Sequence, residues 1–325
     1  LLVGDSVRGS LRDLSLDRLG KTDQALVSAR FFRADLAQDL LEVLNAKGDS
    51  AEVFSAVTLG GSAVHARKGA RASRVQIQGI DELFAELFDA DISRLGESGP
   101  FPAVVVNEAL RKELDAQVGD AVLLSFAQPS DIHRESLFGH NELADATQTL
   151  RLTLVDVLPD RGMGRFGLRA HQSVPLNAFV SLPVLQKAMG QPNRVNTILV
   201  SGKVDSGLDA ALSQAATLDD LGIVIWQADS HVSVESTQFV LQPHLADVIQ
   251  NLADEADLSS LSVLTYLANT IQVNEKDVPY STVVAMDVKD FGGLTLLDGA
   301  VAPALDENEI FLNAWTAKDL GAQVG

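Results

Sequence analysis

Three stretches of the sequence carry residue types that could do chemistry. The first, Gly162–Gly167 (GMGRFG), matches the G-x-G-x-x-G pattern of dinucleotide-binding loops. Such a loop follows a strand, opens a helix whose N-terminus holds the pyrophosphate, and precedes an acidic residue by about twenty positions. Here Pro159 and Asp160 separate the motif from the preceding strand, and residues 184–188 contain no acid. We therefore interpret it as a flexible surface loop.

The second stretch, Gly4–Ser6, contains the Gly-Asp-Ser triplet found at the nucleophile of GDS-type hydrolases. A nucleophilic serine needs a base histidine that a carboxylate holds in place. The late histidine His244 lies in the sequence QPHLAD, which has no D-x-x-H block. A hydrolase that uses Ser6 is therefore the weaker alternative, and an amphipathic helix through this stretch is the simpler interpretation.

The third stretch is a polar loop, Asp131–Ala146, that contains His133 and His140 beside Asp131, Glu135 and Glu142. These are ligand types that a metal ion uses. No two of the six histidines lie three or four residues apart on a helix, and we interpret the loop histidines as solvated. We expect no metal site, no cofactor and no catalytic residue.

Composition excludes several classes of protein. The net charge of -19 and the pI of about 4.6 argue against nucleic acid and anionic lipid surfaces as partners. The chain has no cysteine, so disulfides, thiolate catalysis and cysteine-ligated metals are excluded. No apolar run approaches the ~18 residues of a membrane span. We interpret Leu1–Val3 as the trailing end of such a span.

The elements are organised around an internal repeat. Val104–Gly119 recurs as Ile310–Gly325 at a constant offset of 206, with seven of sixteen positions identical, where composition gives about one by chance. Each copy predicts a strand, an Asn N-cap, a short helix and a Gly turn. We place the start of the second copy near Val232, and it is cut short at Gly325.

The remaining pattern predicts an α+β fold. A helix over Val3–Arg18, with an apolar stripe at Val3, Val7, Leu11 and Leu14, is expected to stop at Gly20. A second helix is predicted over Phe31–Leu44, followed by a hairpin of Glu52–Ala66 and Ser73–Ile80. Hairpins without a long βαβ series favour α+β over a doubly wound sheet. We expect the loops Asp131–Ala146 and Asp160–Arg169 to be the most mobile parts.

Several short segments, in this order and spacing, resemble the extracytoplasmic region of FtsX-like, MacB-like ABC transporter permeases. The resemblance covers nearly the full length and rests on many segments, not on one diagnostic motif. The segments are LLVGDSVRGSLRDLSLDRLGKTDQALVS, FFRADLAQDL, ASRVQIQGID, VVVNEALRKELDAQVGDAVLL, LRLTLVDVLPDRGMGRFGL, LNAFVSLPVLQKAMGQPNRVNTILV, LTYLANTI and VPYSTVVAMD.

The resemblance implies a periplasmic core domain made of discontinuous parts. Residues 1–24 would form a stalk helix that follows a membrane span. Residues 25–80 and 196–227 would form a porter-like α/β subdomain, and residues 81–195 an inserted β-rich, Sabre-like subdomain. Residues 228–325 would form the second, partial repeat, which simpler members of the family lack.

The resemblance also implies a location and partners. The domain would lie in the periplasm, as part of an inner-membrane protein. It would couple ATP hydrolysis by an ABC ATPase subunit or domain, reached through membrane helices, to the handling of a substrate or partner protein outside the membrane. A periplasmic adaptor, a lipoprotein substrate and a homodimer of the full-length permease are compatible with it. A soluble ligand-binding module is the main alternative.

Overall fold

The computed structural model describes residues 16–97, 99–128, 147–169, 173–228, 231–237, 240–287, 294–306 and 308–324. The chain divides into two compact units. Unit 1 consists of Leu1–Ser130 and Leu143–Thr237, and unit 2 of Asp131–Glu142 and Gln238–Gly325. Helices and mixed sheets confirm the predicted α+β class. The finer division into stalk, porter-like, inserted and repeat parts stays a prediction.

The regular elements of the described residues are numbered here in chain order. Unit 1 contains β1 (Gln24–Arg33), α1 (Leu36–Ala46), β2 (Ser50–His65), β3 (Arg71–Ile80), α2 (Glu82–Glu86), β4 (Ala103–Asn107), α3 (Glu108–Glu113), β5 (Ala121–Ala127), β6 (Thr147–Leu158), β7 (Leu176–Ser181), α4 (Leu182–Met189), β8 (Arg194–Lys203), α5 (Leu208–Ala215), β9 (Ile223–Gln227) and β10 (Val232–Ser236). Unit 2 contains α6 (Pro243–Glu255), β11 (Val263–Val273), β12 (Lys276–Met286) and α7 (Ala314–Leu320).

Six strands of unit 1 close into a barrel in the order β2-β3-β7-β4-β6-β5, because β2 pairs with both β3 and β5. The closure needs a close backbone approach at Gly61. A Cβ at Gly61 would lie 2.4 Å from the Ser125 carbonyl oxygen, and the β2–β3 register shifts between Gly61 and Ser62. A β-bulge at a glycine is a common way to bend a strand at a barrel corner.

The long strand β2 also belongs to an antiparallel sheet of β1, β8 and β2. Its first half, Ser50–Ala56, pairs with β8, and β8 pairs in turn with β1. The helix α1 contacts β2 and α5, and its buried residues Leu40 and Leu44 join the largest apolar cluster. The sheet with these helices is one layered half of unit 1, and the barrel is the other.

The predicted helix over Phe31–Leu44 is wrong at its beginning. Phe31 and Phe32 lie in β1, where Phe32 pairs with Val195 of β8 and is buried. The helix starts only at Leu36. Aromatic residues fit a half-buried strand as well as a helix face, and a pairing partner 163 positions away decides for the strand.

The barrel strand β4 is buried on both faces. Val104 and Val106 of β4 belong to the inner cluster, whereas Val105 between them belongs to a second cluster outside the barrel. The outer cluster also contains Phe84 of α2 and Phe166, a residue of the segment that connects β6 to β7. This outer apolar layer positions the candidate site described below.

Unit 2 repeats the order of elements found in unit 1. The offset of 206 places α6 over the positions of α1, and β12 over those of β3. The helix α7 lies at the positions of α3, as predicted. The strand predicted just before α7 is wrong, because residues 310–312 are not in a strand. In unit 1 the matching strand β4 is held between β6 and β7, whereas the described part of unit 2 forms one sheet of two strands.

Candidate functional site

The end of the N-terminal helix is hydrogen-bonded to the segment between β6 and β7. Residues 16–19 are helical. The Asp17 carboxylate accepts from the backbone N–H of Gly162 at 2.9 Å, and an Arg18 guanidinium N–H donates to the Arg169 carbonyl oxygen at 2.8 Å. We call these four residues the helix–loop junction. The stripe predicted for the same helix, Val3, Val7, Leu11 and Leu14, lies outside the described residues.

The helix stops at Gly20, as predicted, and the reason is a second contact. Gly20 has a φ of 58°, and a Cβ there would lie 2.4 Å from the carbonyl oxygen of Leu87 at the end of α2. The next residue, Lys21, donates its backbone N–H to the same oxygen at 3.0 Å. Its ammonium group pairs with Asp89 at 2.6 Å. Only glycine fits this turn, which joins the helix end to α2.

The segment between β6 and β7 is packed, so our prediction of a surface loop with few buried contacts is wrong. Gly162–Arg165 forms a 3-10 helix, and Met163 and Phe166 are buried. The Phe166 ring meets the rings of Phe84 and Phe88 nearly edge-on, at centroid distances of 5.1 and 5.7 Å. Edge-to-face pairs of this kind are favourable beyond the area they bury.

Two buried asparagines hold the same segment from the barrel side. The Asn107 side-chain amide donates to the carbonyl oxygens of Gly164 and Pro175, at 3.0 and 2.7 Å. The Asn177 amide donates to those of Gly164 and Phe166, at 3.2 and 2.9 Å. Each asparagine donates the hydrogen bonds that water would supply to these backbone carbonyl groups if the fold did not shield them. The segment is therefore fixed to the barrel and to the N-terminal helix together.

The glycine pattern in this segment is not a dinucleotide site. A fingerprint loop leads into an α-helix whose N-terminus faces the pyrophosphate. Here Gly162–Arg165 is a short 3-10 helix, and the next regular element is the strand β7. The Asp160 carboxylate, just before the motif, instead accepts from the Ala109 N–H in the first turn of α3 at 3.0 Å. The motif connects elements and forms no phosphate cradle.

A fully buried histidine, His65, lies at the end of β2 against Asp120. The His65 Nε2 is 3.1 Å from an Asp120 oxygen, and Arg67 pairs with the other oxygen at 2.6 Å. The backbone N–H of Gln117, then Arg67 and His65, lower the pKa of Asp120 to about 2. The His65 Nδ1 accepts from the Arg67 N–H. Both ring nitrogens are thus engaged in joining the β2–β3 turn to the start of β5.

A second buried ion pair fixes the end of β1. Arg33 contacts the buried Asp220 carboxylate at 2.8 Å. Burial is the largest influence on the pKa of Asp220 and acts to raise it. Hydrogen bonds from Arg33 and Thr217 outweigh burial, so the pKa is lowered overall. An acceptor with this many donors is typical of a structural anchor.

The structure describes few of the candidate residues that the sequence offered. Ser6, His133 and His140 lie outside the described residues. Of the other histidines, His231 meets the ring of Trp226 edge-on, and His244 lies at the start of α6. Within the described ranges no cluster of three or more His, Asp or Glu side chains could hold a metal ion.

Sequence reasoning missed most of the residues at the junction. Asn107 was recognised as a helix cap, but its amide contacts to Gly164 and Pro175 join segments 57 and 68 positions apart. Asp17 and Arg18 look like ordinary residues on the polar face of a helix. Their partners are backbone groups of a distant segment, for which no local pattern exists.

No family model and no curated protein matches the chain. Solved structures do match, with probability 1.00. One is the extracellular domain of the noncanonical ABC-type transporter YknZ from Gram-positive bacteria, at 12% identity and TM-score 0.34, over 58% of this chain and 82% of that one. Another is the periplasmic region of MacB from Actinobacillus actinomycetemcomitans, at 13% identity and TM-score 0.34, over 71% and 95%.

Both matched structures are regions of ABC-type transporters outside the cytoplasm. At these identities and TM-scores we transfer no residue's role from either protein. Among the helices of the described residues, none is both long and apolar enough to cross a membrane.

Proposed function

We propose that this chain is the extracytoplasmic domain of an ABC transporter permease in the inner membrane. In this proposal it converts motion driven by ATP hydrolysis in the cytoplasm into a change in a surface outside the membrane, where a substrate or partner protein is handled. The proposal is supported by the segments that resemble FtsX-like, MacB-like permeases. The domain itself carries no catalysis.

The helix–loop junction is the observation that supports the proposed coupling of cytoplasmic motion to the domain. A helix transmits displacement to a domain only if its end is fixed to that domain. Here the last turn is joined to the β6–β7 segment by Asp17 and Arg18, and to the end of α2 by Lys21. The β6–β7 segment is joined in turn to the barrel by Asn107 and Asn177.

The residues that make these contacts have little conformational freedom. Gly20 admits no side chain, Phe166 is buried among rings, and both asparagines are fully buried. A push or rotation of the N-terminal helix would therefore move the β6–β7 segment and the barrel with it. This is coupling through a rigid element.

Accessibility in cells tests the proposed location. In the full-length protein, freed of any cysteines of its own, Lys187→Cys places a thiol at an exposed site of unit 1, and Leu185→Cys places one at a buried site. A membrane-impermeant maleimide should label residue 187 in spheroplasts and leave residue 185 unlabelled until denaturation. Labelling of residue 187 only after lysis would contradict the proposal.

The neighbouring genome tests the proposed class. We expect apolar spans encoded before Leu1 and after Gly325, together with an ABC ATPase gene or domain. The hydrolase and the soluble ligand-binding module stay predictions. Ser6, which the hydrolase would use, lies outside the described residues. A ligand-binding module would require a deep apolar pocket of some 300 Å³.

A further inference from the structure

A partly open hollow beside the helix–loop junction is lined largely by arginine. Its lining residues are Arg18, Arg165, Gly167, Arg169, Ser173 and Pro175. The chain as a whole carries 44 acidic and 25 basic residues. Three arginines at one small hollow therefore stand out against a strongly negative background.

The charges of these arginines have no carboxylate partner in the part of the chain that the structure describes. None of the ion pairs formed within the described residues includes Arg18, Arg165 or Arg169. The acidic residues that the structure describes on the same two segments are used elsewhere. Asp17 accepts from the N–H of Gly162, and Asp160 accepts from the N–H of Ala109.

The Arg18 side chain also carries a donor without an acceptor. One terminal nitrogen donates to the Arg169 carbonyl oxygen, but the buried Nε has no hydrogen-bond partner among the described residues. A buried donor on a charged group that is left unsatisfied is costly, so such a group in a native fold usually has a water or a ligand as its acceptor.

We propose that this hollow binds a tetrahedral oxyanion, a phosphate or sulfate group, between Arg18, Arg165 and Arg169. Guanidinium groups match such oxyanions in charge and in the geometry of their N–H groups. The enclosed space holds about one water molecule. One oxygen would therefore fit inside the hollow, and the others would accept from the guanidinium groups that line it.

The anion would add a bridge between the N-terminal helix and the β6–β7 segment. Two of the arginines lie on that segment, and the third lies on the helix. This inference stands independently of the proposed transport role, because it concerns binding to the chain alone.

Titration with inorganic phosphate at low ionic strength tests the site. The wild-type chain should bind and show a rising unfolding temperature, whereas sodium chloride at matched ionic strength should not raise it. Arg165→Gln should weaken binding about tenfold or more, the loss expected for one charge-assisted hydrogen bond. The control Arg161→Gln, an exposed residue of the same segment that does not line the hollow, should bind within about twofold of the wild type.

A second variant and a second probe complete the test. If Arg165→Gln does not fold, Arg169→Gln at an exposed position replaces it with the same expected loss. Vesicles of phosphatidylcholine with and without phosphatidylglycerol then distinguish a lipid phosphate from the free ion: binding that depends on phosphatidylglycerol and on Arg165 assigns the lipid source. Equal binding by Arg165→Gln and Arg161→Gln, or equal stabilisation by chloride, would mean an adventitious ion only and would overturn the proposal.

Discussion

Asn107 and Asn313, which lie 206 positions apart, cap their helices in the same way. The Asn107 side-chain oxygen accepts from the N–H of Leu110 at 3.1 Å, and the Asn313 oxygen accepts from that of Thr316 at 2.8 Å. The two asparagines differ in one respect. Asn107 is fully buried and also holds the β6–β7 segment, whereas Asn313 is exposed.

This difference predicts unequal costs for the same substitution. Asn313→Ala should reduce the free energy of unfolding by about 1 kcal/mol, the loss of a cap. Asn107→Ala should cost about 2–4 kcal/mol, because the buried carbonyl group of Gly164 and the half-buried one of Pro175 also lose their donor. Urea denaturation of each variant measures both values. Equal costs would show that the contacts to the β6–β7 segment contribute nothing.

The helix ends also correspond, at Asp115 and Gly321. Both have a left-handed backbone, with φ of 47° and 66°. In each copy the same two hydrogen bonds close the helix, for example Ala116 N–H to the Arg111 carbonyl and Ala322 N–H to that of Ala317. This is the Schellman pattern. The same pattern at two positions related by the offset of 206 agrees with a duplicated unit.

The left-handed positions predict opposite effects of a residue exchange. Gly321→Ala should destabilise by about 1 kcal/mol, because a side chain is strained at positive φ. Asp115→Gly should be neutral or stabilising, since relief of strain offsets the loss of an exposed ion pair with Lys68. Gly96→Ala, at open space without a positive φ, is the control. A neutral Gly321→Ala would contradict the assigned helix end.

Local patterns predicted this part of the fold because its contacts are local. The Asn cap, the helix and the left-handed turn all form within ten residues. The strand predicted at residues 310–312 failed for the opposite reason. Val104 in the first copy is extended because it pairs with Val180 and Leu154, far along the chain, and no nearby residue reports such a partner.

The lowered pKa of Asp120 predicts acid sensitivity. Its folded pKa of about 2 lies below the ordinary value of 3.8, so the stabilisation is fully present above about pH 4 and is lost as pH falls through about 2. The Asp120→Asn variant should lack this pH-dependent stabilisation. It should also be less stable than the wild type at neutral pH, because the group that accepts from Arg67 loses its charge. Urea denaturation of the wild type and the variant between pH 2 and 7 measures how the free energy of unfolding of each depends on pH. A parallel pH dependence of the two proteins would refute the role of Asp120.

The packing of Phe166 predicts a large effect in a segment that composition marks as loop. Phe166→Ala should cost about 3–5 kcal/mol and raise amide hydrogen exchange across residues 161–169. Arg161→Ala, an exposed position in the same segment, should change stability by less than about 0.5 kcal/mol. Hydrogen exchange by mass spectrometry measures both. Unchanged protection in Phe166→Ala would show that the rings do not hold the segment.

The candidate site was less predictable than the fold. Glycine and arginine in Gly162–Gly167 indicate exposure, and only the three-dimensional partners Asn107, Asn177 and Phe84 explain why the segment is packed. The junction residues Asp17 and Arg18 bind backbone groups about 150 positions away. Backbone acceptors and donors have no sequence signature, so this site could be found only from the structure.

The central claim is that displacement of the N-terminal helix reaches the domain through the helix–loop junction. The matched variants are Asp17→Ala with Arg18→Ala, which breaks the junction, and Lys203→Ala with Asp205→Ala, which removes the same charges from an exposed ion pair elsewhere in unit 1. Both would be introduced into the full-length permease together with Lys187→Cys, which carries a fluorescent label.

The most direct measurement compares ATP hydrolysis with the ATP-dependent change in that label's fluorescence in the reconstituted permease. The account predicts that both signals persist in the control. It predicts that the junction variant hydrolyses ATP at an unchanged rate but loses the fluorescence change. A fluorescence change of full size in the junction variant, at an unchanged rate of hydrolysis, would contradict transmission through Asp17 and Arg18.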